Sequence, residues 1–275
     1  MLRVLTIPGV WDIQEPEQFV RFSRKNPFVE WGIRVKNPLQ AEAHFPTVEW
    51  MESLAAVADA DTRLALHLEG DIAREFMVGN MVIWDYISEK LWAHIRRVHI
   101  PLDTLLTSDI EFDIDTPDMA DLIHSRKFQD HKQGFRCVTM QVKSEEAISI
   151  VWRATDYIDD LYPLFDLEDQ QNPPKQWPVA VFPRCKDGAL RAHGYAANLS
   201  RDIVVKNIES IREAANGGPF WLQTRTVFVN GKVGFGILNN IAEPLHPHYR
   251  SGCCREMGSP VRVQYVKFNE KEWRQ

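Results

Sequence analysis

The sequence lacks the features that mark secreted and membrane proteins. No stretch approaches the roughly 20 consecutive apolar residues of a membrane span, and the first apolar run is too short for a signal peptide. Only four cysteines occur in 275 residues, and the adjacent pair Cys253 and Cys254 has no metal-ligand spacing. We therefore expect reduced thiols in a cytoplasmic protein that has no membrane partner.

Several functional signatures are absent as well. The chain has no run of lysine and arginine, and its net charge is −6, which argues against nucleic acid as the main partner. It also contains no Gly-x-Ser-x-Gly elbow, P-loop or Gly-x-Gly-x-x-Gly turn. Acyl transfer, nucleotide hydrolysis and dinucleotide redox chemistry therefore lack their usual sequence signs, and no cofactor is expected.

Short apolar runs recur roughly every 30 residues, and amphipathic patterns fill most of the gaps between them. Eight such runs predict an α/β fold, a (β/α)8 TIM barrel, with an open doubly wound sheet as the alternative. For the sixth strand, residues 161–167 compete with residues 177–184. The eight runs cover residues 2–8, 28–35, 63–70, 96–102, 135–142, 161–167, 189–196 and 219–229.

Helices are predicted over residues 16–26, 47–60, 83–95, 144–160 and from Ser200 to Ala215. Beyond the eighth strand, Asn230-Gly231 stands between two alternating runs and predicts a tight hairpin. Residues 259–268 alternate like one more strand. We therefore assign residues 1–250 to the barrel and residues 251–275 to an extension of the same domain, with a small antiparallel β appendage.

The active site of such a barrel lies at the carboxyl ends of the strands. Asp166 follows an apolar run there, and a buried carboxyl group is suited to donate a proton. His67 and Glu69 are candidates for the base. The other positions that this rule selects as ligand-binding are Glu30, His99, Gln141, His193 and Thr224; Lys36, Asp103, Lys143 and Glu168 share the strand-end location.

The turn after the seventh strand leads directly into a helix. Asn198 and Ser200 are good N-cap residues, and the free N–H groups of a helix start favour an anion. An ordinary capped helix explains the same residues equally well. Arg225, after the eighth strand, adds a positive charge. In a further alternative, His67, His99 and His193 converge as the ligands of a catalytic metal, although none of them has a local ligand spacing.

The chain resembles the phosphoribosylanthranilate isomerase family. The stretches that carry the resemblance are EWGIRV, RLALHLEGD, RRVHI, LYPLFDLEDQQNPPKQWP, HGYAANLSRDIV and GPFWLQTRTVFVNGK. The resemblance implies an Amadori-type aldose–ketose isomerase with Asp166 as the general acid. It also implies a cysteine base at the end of the first strand and a Gly-Gly pair after the seventh.

This chain departs from that pattern at both places. Its first strand, LRVLTIPG, has no cysteine, and Ala196-Ala197 replaces the two glycines. The sequence therefore predicts an isomerase-like barrel that binds a small phosphorylated sugar- or nucleotide-derived ligand through an altered catalytic and phosphate site. An active isomerase that uses Asp166 remains the alternative.

Overall fold

Eight parallel strands close into a barrel in a computed structural model of the chain. The structure describes residues 1–36, 45–106, 117–125, 128, 137–167, 176–179, 182, 184–185, 188 and 190–250. Each strand pairs with the next along the chain, and the eighth pairs with the first. The strands are β1 Leu2–Val10, β2 Val29–Val35, β3 Arg63–Leu68, β4 Ile95–Pro101, β5 Cys137–Val142, β6 Leu161–Asp166, β7 His193–Ala196 and β8 Phe220–Gln223.

Helices follow most of the strands and cover the outside of the barrel. They are α1 Pro16–Lys25, α2 Val48–Val57, α3 Gly70–Met77, α4 Glu89–Trp92, α5 Leu102–Leu106, α6 Pro117–His124, α7 Glu145–Ala154, α8 Arg201–Ala214 and α9 Phe235–Ala242, with 3-10 turns at Val82–Asp85 and Glu243–His248. In the part of the chain that the structure describes, no helix is long and apolar enough to cross a membrane.

The barrel closes between its first and last strands. Leu5 pairs with Leu222 in parallel register. The N-terminal amino group donates to the carbonyl of Gly218 at 2.6 Å, and Leu2 forms a further parallel bridge with Tyr249. The closed ring confirms the barrel and excludes the open sheet.

The two faces of the strands differ in composition because successive side chains on a strand point to opposite sides. The outward faces pack with the helices into one large apolar cluster. The inward faces form a small apolar cluster and also carry about half of the buried polar groups. The members of the inner cluster are Val4, Cys137, Tyr162, Leu164, Ala192, Ala196 and Trp221.

The predicted hairpin is confirmed. Strands β9 Phe228–Val229 and β10 Lys232–Val233 pair antiparallel, and both turn residues adopt positive φ, 51° at Asn230 and 78° at Gly231. The indole N–H of Trp11 donates to the Gly231 carbonyl at 3.0 Å, so the hairpin is bound to the loop after β1. The predicted strand at 259–268 lies outside the described residues.

Two sequence expectations need correction or resolution. The single helix predicted over residues 83–95 is wrong: a 3-10 turn ends at Asp85, and Ser88 starts the new helix α4 by accepting the N–H of Leu91 at 3.1 Å. A serine that can cap a helix competes with the continuation of the previous turn. Residues 161–166 form the sixth strand, and the described residues of 177–184 are not in a strand.

Candidate functional site

A chain of polar side chains crosses the carboxyl end of the barrel from β3 to β6. The rings of His67 and His99 stack with centroids 4.2 Å apart and planes 5° apart. His99 Nε2 lies 2.7 Å from Gln141 Oε1, and the amide of Gln141 donates to Asp166 Oδ2. Lys143 Nζ is 3.1 Å from the same carboxylate oxygen. The predicted site residues His67, His99, Gln141 and Asp166 are therefore brought together.

His67 and His99 are both buried and neutral. Burial lowers the pKa of His99 to about 3, although the hydrogen bond with Gln141 and the charge of Asp166 oppose the shift. Burial, together with His99 and the positive charges of Arg225, Arg97 and Arg34, holds the pKa of His67 well below its usual range. Because Gln141 Oε1 can only accept, Nε2 of His99 carries the ring proton. The pair thus offers hydrogen bonds and no charge at neutral pH.

Gly32 on β2 makes room for the His67 ring. A Cβ atom at Gly32 would lie 2.5 Å from His67 Nε2 and 2.9 Å from the Cα atom of Pro8. Within the described residues, His67 Nε2 is buried and has no hydrogen-bond partner. The ring is therefore held by close packing against a bare backbone and by stacking on His99.

A charged pair joins the ends of β2 and β3. Nε and Nη2 of Arg34 donate to the two carboxylate oxygens of Glu69 at 2.6 and 2.9 Å. This bidentate contact raises the pKa of Arg34. The guanidinium also lies over the ring of Phe45, 4.7 Å from its centroid. Glu69, a candidate base, is thus engaged by Arg34, outside the hydrogen-bonded chain of His99, Gln141 and Asp166.

A second charged pair lies deeper in the barrel. Glu30 Oε1 is 3.2 Å from Arg97 Nε and accepts a hydrogen bond of 3.0 Å from Thr6. The Arg97 guanidinium stacks 4.6 Å above the ring of Trp221. Glu30 is the second residue of β2, so the structure places this predicted rim residue in the barrel interior, where it balances the charge of Arg97.

The loops after β7 and β8 are held together by threonines. Thr224 Oγ1 accepts the N–H of Leu199 at 3.1 Å, and Thr226 donates to the Leu199 carbonyl. Ser200 caps α8 by accepting the N–H of Ile203 at 3.4 Å. Thr224 and Ser200 therefore both have structural hydrogen bonds in this region. Asn198, two residues before Ser200, is half-buried.

Arg225 follows directly at the rim. Its side chain is exposed, and its charge contributes to lowering the pKa of both His67 and His99. It therefore lies on the same side of the barrel as the polar chain.

His193 does not join the site. It is the first residue of β7, whose interior face carries Gly194 beside Trp221 and Ala196 in the inner cluster. The His193 ring points the other way and lies 5.6 Å from the ring of Phe182, which packs on Trp152 of α7. The three histidines of the metal alternative do not converge. No metal-binding group of three His, Cys, Asp or Glu residues occurs among residues that the structure describes.

No protein-family model and no curated protein matches the sequence, but several solved structures match the fold. Phosphoribosylanthranilate isomerase from Thermus thermophilus is 12% identical over 89% of this chain and 99% of its own, with a TM-score of 0.51. TrpF from Jonesia denitrificans is 11% identical over 87% and 95%, also at 0.51. The chain has the fold of phosphoribosylanthranilate isomerase.

A third phosphoribosylanthranilate isomerase structure was solved with reduced 1-(o-carboxyphenylamino)-1-deoxyribulose 5-phosphate bound. It is 13% identical over 88% of this chain and 97% of its own, with a TM-score of 0.50. At these identities the likeness establishes the barrel and its order of strands.

The isomerase-like barrel has no thiol at the end of β1, where Pro8, Gly9 and Val10 stand.

Sequence reasoning missed two arginines that help to define the site. Arg34 and Arg97 both lie on inward-facing strand positions, and a count of alternating residues from Gly32 and His99 would have found them. Glu168, at the end of the sixth apolar run, lies outside the described residues.

Proposed function

We propose that this barrel binds a small phosphorylated sugar- or nucleotide-derived ligand at its C-terminal rim. The observation that carries the proposal is the polar chain His67–His99–Gln141–Asp166 at the carboxyl ends of the strands, the end where barrels of this fold class have their active sites. Its members converge from β3, β4, β5 and β6, as a site for a compact ligand requires.

The chemistry of these groups suits a sugar. His99 is neutral and buried, Gln141 is neutral and half-buried, and a contact of 2.7 Å holds the two side chains together. They can therefore align with ligand hydroxyl groups at little further cost in desolvation or side-chain ordering. Oδ2 of Asp166 accepts from Gln141 and lies 3.1 Å from Lys143 Nζ, so two groups hold this carboxylate in place. A neutral polar surface with one fixed carboxylate matches a polyol better than an apolar ligand.

Arg225 is the group we assign to the phosphate. It is exposed at the rim beside β8, and its charge reaches both buried histidines. Arginine binds phosphate oxygens through a planar set of donors. The N–H of Leu199 is already donated to Thr224, so the proposal depends on the guanidinium more than on the turn before α8.

Ligand-induced stabilisation tests the proposal. Ribose 5-phosphate at tenfold above its dissociation constant should raise the free energy of unfolding by about 1.4 kcal/mol, or the melting temperature by roughly 3–6 °C. Ribose should give no shift. Arg225→Gln should weaken binding by about tenfold, because a charge-assisted contact is lost.

The matched control is Arg212→Gln, an exposed arginine near the end of α8 that pairs only with its helix neighbour Glu209 in the described part of the chain. It should leave the shift unchanged. The absence of any shift with millimolar ribose 5-phosphate would refute the proposal. Equal loss in both variants would remove the phosphate role of Arg225.

A further inference from the structure

We infer that Glu69 is a specificity-determining residue that restricts the site to ligands whose phosphate is their only anionic group. The inference rests on the proposed function. It adds that the end of the ligand opposite the phosphate is uncharged, as in a hydroxyl or an aldehyde, and is not a carboxylate.

Arg34 is the cation at the end of β2 to which a second anionic group of the ligand would bind. It lies at an inward strand position paired with His67, and its charge contributes to lowering the pKa of His67. Its Nε and Nη2 are both engaged by Glu69, at 2.6 and 2.9 Å. A ligand carboxylate at this edge of the guanidinium would have to replace Glu69.

Glu69 is poorly able to move away. Its backbone N–H donates to the carbonyl of Val35 at 2.8 Å, which fixes the residue at the junction of β3 and α3. Its side chain is only 26% exposed. A displaced Glu69 carboxylate would therefore remain close to the incoming carboxylate, and two like charges at short range cost binding free energy.

The neighbouring cations are balanced in the same way. Asp166 pairs with Lys143 at 3.1 Å, and Glu30 pairs with Arg97 at 3.2 Å. A second anion would therefore meet a carboxylate beside each of these cations. A neutral hydroxyl meets no such repulsion and can hydrogen-bond to the carboxylates and to His99.

Two five-carbon probes test this selectivity. Ribitol 5-phosphate and ribonate 5-phosphate differ only in a hydroxymethyl or a carboxylate group at C1, and ribose 5-phosphate is a second probe that is neutral there. Dissociation constants are measured by calorimetry with the full-length protein. The wild type should bind ribonate 5-phosphate about tenfold more weakly than either neutral probe.

Glu69→Gln should raise the affinity for ribonate 5-phosphate by about tenfold and leave the affinity for the neutral probes within roughly threefold, because it frees Arg34 without changing the side-chain volume. The control is Glu75→Gln, a change on the same helix whose carboxylate accepts from Asn80 at 2.9 Å. It should keep the wild-type selectivity.

Three results would overturn the inference. They are tighter or equal binding of ribonate 5-phosphate by the wild type, no gain of ribonate affinity in Glu69→Gln, and the same gain in Glu75→Gln. Failure of the proposed function would give a different result: none of the three phosphorylated probes would bind to any variant. The selectivity inference would then fall with it.

Discussion

Replacement of Gly32 by alanine tests the placement of His67 in the barrel. The added Cβ atom would lie 2.5 Å from Nε2 and 2.9 Å from Cδ2 of the His67 ring, and 2.9 Å from the Cα atom of Pro8. Comfortable contact needs about 3.5 Å or more. The ring cannot easily retreat, because it is buried and stacks on His99 at 4.2 Å. On the other side, Pro8 offers only backbone.

Overpacking of this kind typically costs about 1–3 kcal/mol, and contact with both a backbone atom and a confined ring puts Gly32→Ala at the upper end. We expect the free energy of unfolding to fall by about 2–3 kcal/mol, which lowers the melting temperature by roughly 4–12 °C in a chain of this size. Urea titration followed by tryptophan fluorescence measures the change, since nine tryptophans report on unfolding.

The matched control is Gly236→Ala in the first turn of α9. A Cβ atom there meets nothing within 4 Å, and alanine is the better helix former, so this variant should be as stable as the wild type or up to about 1 kcal/mol more stable. The double variant Gly32→Ala/His67→Ala should lose less unfolding free energy than the sum of the two single losses, by about 1 kcal/mol or more, because the His67 ring is one of the two groups that the new Cβ atom would contact. A Gly32→Ala protein of wild-type stability would refute the placement, as would strictly additive losses.

Three further predictions use the same urea titration. Because burial holds the pKa of His67 well below 6.5 and lowers the pKa of His99 and His193 to about 3, the unfolded chain takes up protons first as the pH falls. The free energy of unfolding should therefore decrease by up to about 4 kcal/mol per pH unit between roughly pH 6 and pH 4, and a flat profile would contradict the burial of His67, His99 and His193. Arg191→Met should cost about 3–5 kcal/mol, because Arg191 donates to the carbonyls of Thr155, Ile158, Asp159 and Leu161; a loss below about 1 kcal/mol would show that those carbonyls find other partners. Thr224→Val keeps the side-chain volume but leaves the N–H of Leu199 without its acceptor, for an expected loss of about 1–3 kcal/mol, and wild-type stability would show that this hydrogen bond contributes nothing.

The strands of the barrel were predictable because each is an apolar segment buried on both sides. All eight apolar runs contain a strand, and the sixth is fixed at Leu161–Asp166. The helix predicted at residues 83–95 failed because apolar spacing says nothing of Ser88, whose side chain caps a new helix there. The spacing of apolar residues identifies the buried face of a helix, but it does not show where one helix ends and the next begins.

The site was predictable where a side chain lies close to the carboxyl end of its strand and faces the barrel interior. His67, His99, Gln141 and Asp166 come together because each lies within two residues of the end of its strand. His193 was selected from a run predicted to end at residue 196, where β7 does end, but β7 has only four residues, so His193 lies at its opposite end and faces outward. A correctly placed carboxyl end therefore does not decide on which face of the strand a nearby side chain lies.

The contacts that close the ring have a consequence for how the chain is made. The N-terminal amino group and its acceptor at Gly218 are 217 residues apart. At a translation rate of 5–20 residues per second, the ribosome needs roughly 10–40 s to deliver the eighth strand after the first has emerged. During that interval one edge of the first strand lacks its final partner, so that edge stays open to pairing with other chains until the eighth strand arrives.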